Sequence, residues 1–192
     1  MKSLAQVIST VGNPIVLAAP IAFALVLATS NNAYYAFIWS LASLVLALII
    51  AAFIFVGMRR GIFSNFDVSI RTQRKPVFIF AGIVIFLYFL LILLLQGPMI
   101  LLLGLGVLLL GVISAELINT KVKASMHMAV ACAFSFIYAI IFGGYFWVFP
   151  LLIPPAVAWS RLKLNRHTPI ELLVGSAFGL SLVVLLMLIV KY

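Results

Sequence analysis

Apolar residues do not alternate with polar ones along this chain; they come in long blocks parted by short polar islands. A helix needs roughly 20 such residues to cross a bilayer. The blocks at 14–29, 33–56, 76–95, 99–118, 125–143 and 168–190 reach or approach that length. A seventh piece, 145–159, is short and interrupted by Pro150, Pro154 and Pro155, so it reads as a kinked or partly embedded helix. The pattern predicts an all-α integral membrane protein, a bundle of six full transmembrane helices plus one short Pro-rich helix, forming one domain over 1–192. A strand barrel is excluded, because its segments would alternate apolar and polar residues.

Details of the blocks add to this picture. Residues 1–12 read as a mildly polar lead and not as a cleaved signal, since Gly12, Asn13 and Pro14 interrupt the charge-then-apolar order. Pro20 is placed to kink the first span, and Tyr34, Tyr35 and Trp39 form an interfacial aromatic belt on the second. Gly104 and Gly106 offer close helix approach in the fourth.

Three polar islands separate the blocks. The longest, 58–76, carries Arg59, Arg60, Asp67, Arg71, Arg74 and Lys75, and its interspersed Ile62, Phe63, Phe66, Val68 and Ile70 suggest a segment lying in the interface. The second, 119–124, contains Lys121 and Lys123 and leads into Ser125 and His127. The third, 159–175, packs Arg161, Lys163, Arg166, His167 and Glu171 together. If 145–159 crosses or returns as a hairpin, all three islands share one face of the membrane.

Charge narrows the function. Twelve basic residues against three acidic give a net charge of +9 in a chain of mean hydropathy +1.36. These cations lie in short loops and not on one extended soluble face, so no nucleic-acid partner is implied. They serve either as topology signals or as phosphate ligands. Cys132 is the only cysteine, which excludes an intrachain disulfide and a thiolate metal cluster. Two histidines and three acids spread this widely make a poor metal site, and no metal or other cofactor is expected.

His167 and Glu171 stand four apart at a helix start, one turn apart on one face. A carboxylate on one imidazole nitrogen fixes the tautomer and frees the other nitrogen as a nucleophile. His127 opens another helix just after Ser125, and helix N-termini favour anions. Two histidines at two helix starts, with Arg161, Lys123 and Arg74 and the island from Arg71 to Lys75 at hand, suit phosphoryl transfer: one attacks and the other protonates the leaving oxygen. The competing reading of the His167–Glu171 pair is an interfacial ion pair capping a helix. Asp67 and Glu116 read as partners for basic neighbours.

The run Ser160-Arg161, five residues, His167, three residues, Glu171 resembles the third signature of the type 2 phosphatidic acid phosphatase superfamily. Lys-Ala-Ser125-Met-His127 resembles its second, usually Pro-Ser-Gly-His, and the stretch from Asp67 to Pro76 resembles its first, a basic motif ending in Arg-Pro. The motifs span 67–179, in the family's order, and Gly175 and Gly179 fall where its last helix carries small residues. The chain departs from the pattern in four ways. Glu171 stands for Asp, Met126 for Gly, and Val68 for the leading lysine, and two spans separate the first and second signatures.

The resemblance implies a metal-independent integral membrane phosphatase acting on lipid phosphates or isoprenoid diphosphates. It assigns His167 as the nucleophile that forms a phosphohistidine, Glu171 as the group orienting it, and His127 as the general acid. Arg161, Lys75, Arg74 and the Ser125 region would hold phosphate oxygens, with membrane lipids and a lipid phosphate as the partners. The alternative is an inactive lipid-phosphate binder or transporter of the same fold. The resemblance further implies a cell-membrane location with an extracytoplasmic site, whereas the positive-inside rule puts the basic islands in the cytoplasm.

Overall fold

Asparagine or serine side chains cap the starts of three helices. In the computed structural model, which describes residues 2–190, the chain forms α1 (Lys2–Val11), α2 (Pro14–Ser30), α3 (Ala33–Arg59), α4 (Arg74–Leu94), α5 (Met99–Lys121), α6 (Met126–Phe142), α7 (Val148–Lys163) and α8 (Pro169–Val190). Asn13 caps α2, its Oδ1 accepting from the Ile15 amide at 2.9 Å, with Pro14 in the first helical position. Asn31, left-handed at φ 51°, closes α2, and Asn32 caps α3 through the Tyr35 amide at 3.0 Å. Ser125 caps α6 through the Met128 amide.

Six helices close a ring in the order α2, α3, α4, α5, α8, α6 and back to α2. The tightest seam is glycine-dependent. A side chain on Gly175 or Gly179 of α8 would run into the backbone carbonyls of Ser125 and Ala129 on α6, so the two helices touch backbone to backbone. Outside the ring, α7 packs on α6, and α1 packs on α7. Gly12 lies against Val157, and Ile8 joins the buried cluster of Met128, Cys132, Val157 and Leu172.

Every regular element among the described residues is helical, as the blocks predict. The expectation of six full spans is met only in part. Four helices are long and apolar enough to cross a bilayer, and a fifth span results if α1 and α2, bent by 41° at Gly12–Asn13, are taken together. α6 has 17 residues, about 26 Å at 1.5 Å per residue, and falls short of a full hydrocarbon thickness. The Pro-rich piece is a 3-10 turn (Gly144–Trp147) followed by α7, which returns to the end where the islands cluster. Residues 2–11 are helical where a polar lead was expected. The segment 60–73 is mostly turns and bends; of the apolar residues expected in the interface, Phe63 and Val68 are buried against Ile54, whereas Ile62, Phe66 and Ile70 are exposed. Of the two glycines expected to permit close approach, Gly106 faces open space and Gly104 faces Leu25 at ordinary contact distance.

Candidate functional site

At the end of the ring where the islands meet, the first turns of α6 and α8 and the last turn of α7 converge. His167 sits just ahead of α8, and its Nδ1 lies 2.8 Å from Glu171 Oε2, which also accepts from the Thr168 amide. The carboxylate holds the Nδ1 proton, so Nε2 is left without one, as a nucleophile requires. His167 is 8% exposed and lines an apolar cavity. Burial pushes its pKa down to about 4, the nearby Arg161, Lys123 and Arg74 charges add to the effect, and Glu171 offsets only part of it.

His127, in the first turn of α6, faces the same cavity. Its Nε2 lies 3.3 Å from Asn13 Nδ2 and 3.8 Å from Asp67 Oδ1. Because Asn13 Oδ1 is committed to the Ile15 amide, its NH₂ faces the ring, and Nε2 accepts. A protonated His127 would exchange that donor for the Asp67 carboxylate.

Arg161, 1% exposed, is the central cation. Its Nη1 donates to Asp67 Oδ2 at 2.8 Å and to Ser9 Oγ of α1 at 2.6 Å, while its buried Nε has no partner among the described residues. An orphaned buried guanidinium donor is costly unless a ligand satisfies it. Burial alone would raise the Asp67 pKa, but Arg161, His127 and Arg166 hold the carboxyl below its usual range. Arg74 braces the site, donating through Nε to the Val68 carbonyl and through Nη1 to the Ala124 carbonyl. Val68 itself has φ 44°, a left-handed conformation that is strained for a β-branched residue.

Four of the residues expected to form the site, His127, His167, Arg74 and Arg161, line the cavity, with Glu171 behind His167. Four others do different work. Ser125 is fully buried and spends its hydroxyl capping α6, and Lys123 donates its ammonium to the Arg166 carbonyl at 2.8 Å. Arg71 is exposed and ties its guanidinium to the Lys121 carbonyl, and Lys75 is exposed on the first turn of α4. Burial lowers the Lys123 pKa. Asp67 does pair with basic groups, whereas the buried Glu116 Oε2 has no partner among the described residues. Sequence reasoning missed Ser9 and Asn13. The stripe Ala5, Ile8, Ser9 and Gly12 was the available signal, marking a helix face that meets the bundle.

Comparison of the chain with family models, with curated proteins and with solved structures returns no match.

Proposed function

We propose that this chain is an integral membrane phosphatase that removes phosphate from a lipid phosphate or isoprenoid diphosphate, as a divergent relative of the type 2 phosphatidic acid phosphatases. The observation carrying this reading is the unpartnered, buried Nε of Arg161, a residue that lines the same apolar cavity as both histidines. A phosphate oxygen accepting from Nε would satisfy it, and a bound phosphate would compete with Asp67 for Nη1. His167 Nε2 then attacks phosphorus in line. The N–P bond forms as the bond to the lipid oxygen breaks, and His127, protonated once the phosphate's negative charge is bound beside it, gives its proton to that oxygen. His127 next takes a proton from water, whose oxygen displaces His167 and releases inorganic phosphate.

Phosphate release from a lipid phosphate in detergent, with EDTA present, tests the proposal. Release should survive EDTA and fall by at least about 10³-fold in His167→Ala. No release from well-folded wild-type protein would overturn it. Two observations favour the second reading, a non-hydrolytic lipid-phosphate binder or transporter. Asp67 already sits on Arg161, and the Met126 side chain lines the cavity where the family has glycine. That reading expects phosphate-lipid binding without release. We place the protein in a cell membrane, with orientation decided by the charges left outside the site.

A further inference from the structure

The cavity beneath the two histidines is far deeper than a phosphate needs. It runs inside the helix ring from Arg74 at the polar end past Tyr88, fourteen residues along α4 or about 21 Å of helix, to Leu101 near the start of α5. Small residues keep the lumen open. Ala22 of α2, Ala47 of α3, Ala81 of α4, Ala115 of α5, Ala133 of α6 and Gly179 of α8 all face it, one from each ring helix. Its volume is about 410 Å³.

The deep end is built differently. Ser43 of α3 and Tyr88 of α4 meet on the seam between these neighbouring helices at 3.2 Å, and Ser43 Oγ also donates to the Trp39 carbonyl at 2.9 Å, so their polar atoms are already satisfied. Around and beyond them Leu25, Leu101 and Leu186 line the lumen from α2, α5 and α8, and Leu25 lies against Gly104 at ordinary contact distance. The deep end therefore presents apolar side chains, and no free hydrogen-bonding group, to a chain descending from the polar end.

We infer that this lumen is a measuring tube for one hydrocarbon chain, so that the substrate class is single-chain lipid phosphates, prenyl phosphates being its best probes, and not diacyl lipids. The occupant follows from three features. The tube is continuous with the cationic mouth, which fixes the position of the phosphate at one end. Below the polar end its walls are apolar apart from the Ser43–Tyr88 pair, so burial of hydrocarbon is favoured there. Its volume lies near the low end of the about 300–1,000 Å³ that holds one drug-sized molecule. At about 410 Å³ the lumen has room for one such chain. The inference takes only the phosphate head group from the phosphatase reading.

Purified full-length protein in detergent would be given geranyl, farnesyl and geranylgeranyl phosphates and dioleoyl phosphatidate. Release of phosphate and displacement of a fluorescent farnesyl phosphate would be measured in parallel. Displacement, and kcat/KM if the protein hydrolyses, should rise at least about tenfold from geranyl to geranylgeranyl as more chain is buried, with phosphatidate at least about tenfold below the best prenyl phosphate. Ala81→Phe, partway down the tube, should move the preferred chain to a shorter prenyl phosphate. Leu101→Ala, which makes room at the deep end, should move it to a longer one, a gain that misfolding does not produce. Equal handling of phosphatidate and prenyl phosphates, or a preferred length unmoved by both variants, would overturn the tube. Length-ranked displacement without any release would support the tube while overturning the phosphatase reading.

Discussion

The His167–Glu171 pair and the Asp67–Arg161 pair set opposite demands on protons and anions. Burial keeps His167 neutral down to about pH 4, whereas an unfolded histidine takes a proton near 6.5. The folded pKa is depressed, so the His167 share of stability is complete above about 6.5 and is lost as pH falls from there towards 4. Chemistry should follow the folded value. Phosphate release should lose its His167 nucleophile only near pH 4, and an acid limb centred at 6.5 in a pH–rate profile would show that the attacking imidazole is solvated. Asp67 bears on anions. Its carboxylate accepts from Arg161 at 2.8 Å and lies 3.9 Å from Arg166 Nε, so an incoming phosphate meets a negative charge already seated. Removing one unit charge at such a distance is worth about 1 kcal/mol even in water-like surroundings. Asp67→Asn should therefore tighten inhibition by inorganic phosphate or vanadate at least about fivefold. Weaker inhibition would mean that Asp67 serves mainly to hold Arg161 in place.

At the scale of elements, the site depends on how closely α8 approaches α6, because each helix presents one histidine at its start. Gly179→Leu puts a side chain into the Ala129 carbonyl, so the helices must separate. The expected cost is about 1–3 kcal/mol, with activity lost before the fold, read as melting in detergent alongside phosphate release. Gly106→Ala meets nothing within 4 Å and gains helix propensity, so it should leave both measurements level or raise the melting point slightly. This geometry also explains what could be read in advance. Helices α3, α4, α5 and α8 were plain as apolar blocks, and His167 with Glu171 was plain from its four-residue spacing. α1 was not, because Lys2, Gln6 and Thr10 dilute its apolar content, and only its buried Ala5–Ser9 stripe marks it. Arg71, Arg74 and Lys75 are indistinguishable in one basic run. The tertiary fold alone turns Arg74 inward while it leaves Lys75 exposed. No local pattern announces Asn13 as a partner of His127, since the two are 114 residues apart.

At the scale of the whole molecule, the charges divide by what they touch. Arg74, Lys123, Arg161 and Arg166 are held by carbonyls and carboxylates within the site. Arg59, Arg60, Arg71, Lys75, Lys121 and Lys163 stand at the same end and are exposed. The opposite end, at Asn31–Asn32, Gln96–Pro98 and Gly143–Trp147, carries no charged residue among the described residues, and Lys191 follows the end of α8 in the sequence. Phosphate chemistry accounts for the first group and leaves the second for topology. Exposed lysines and arginines near span ends favour the cytoplasmic side, and six against none among the described residues is a strong bias even with Lys191 next in sequence after α8. We therefore expect the site end to face the cytoplasm, opposite to what the family resemblance implies. In a Cys132→Ala background, Arg60→Cys and Thr120→Cys should resist a membrane-impermeant thiol reagent on intact cells and react after permeabilisation. Asn32→Cys should react on intact cells. The reverse pattern would place the site outside, where the six exposed cations would meet anionic lipid headgroups or substrate, and the resemblance would then predict the topology better than charge does.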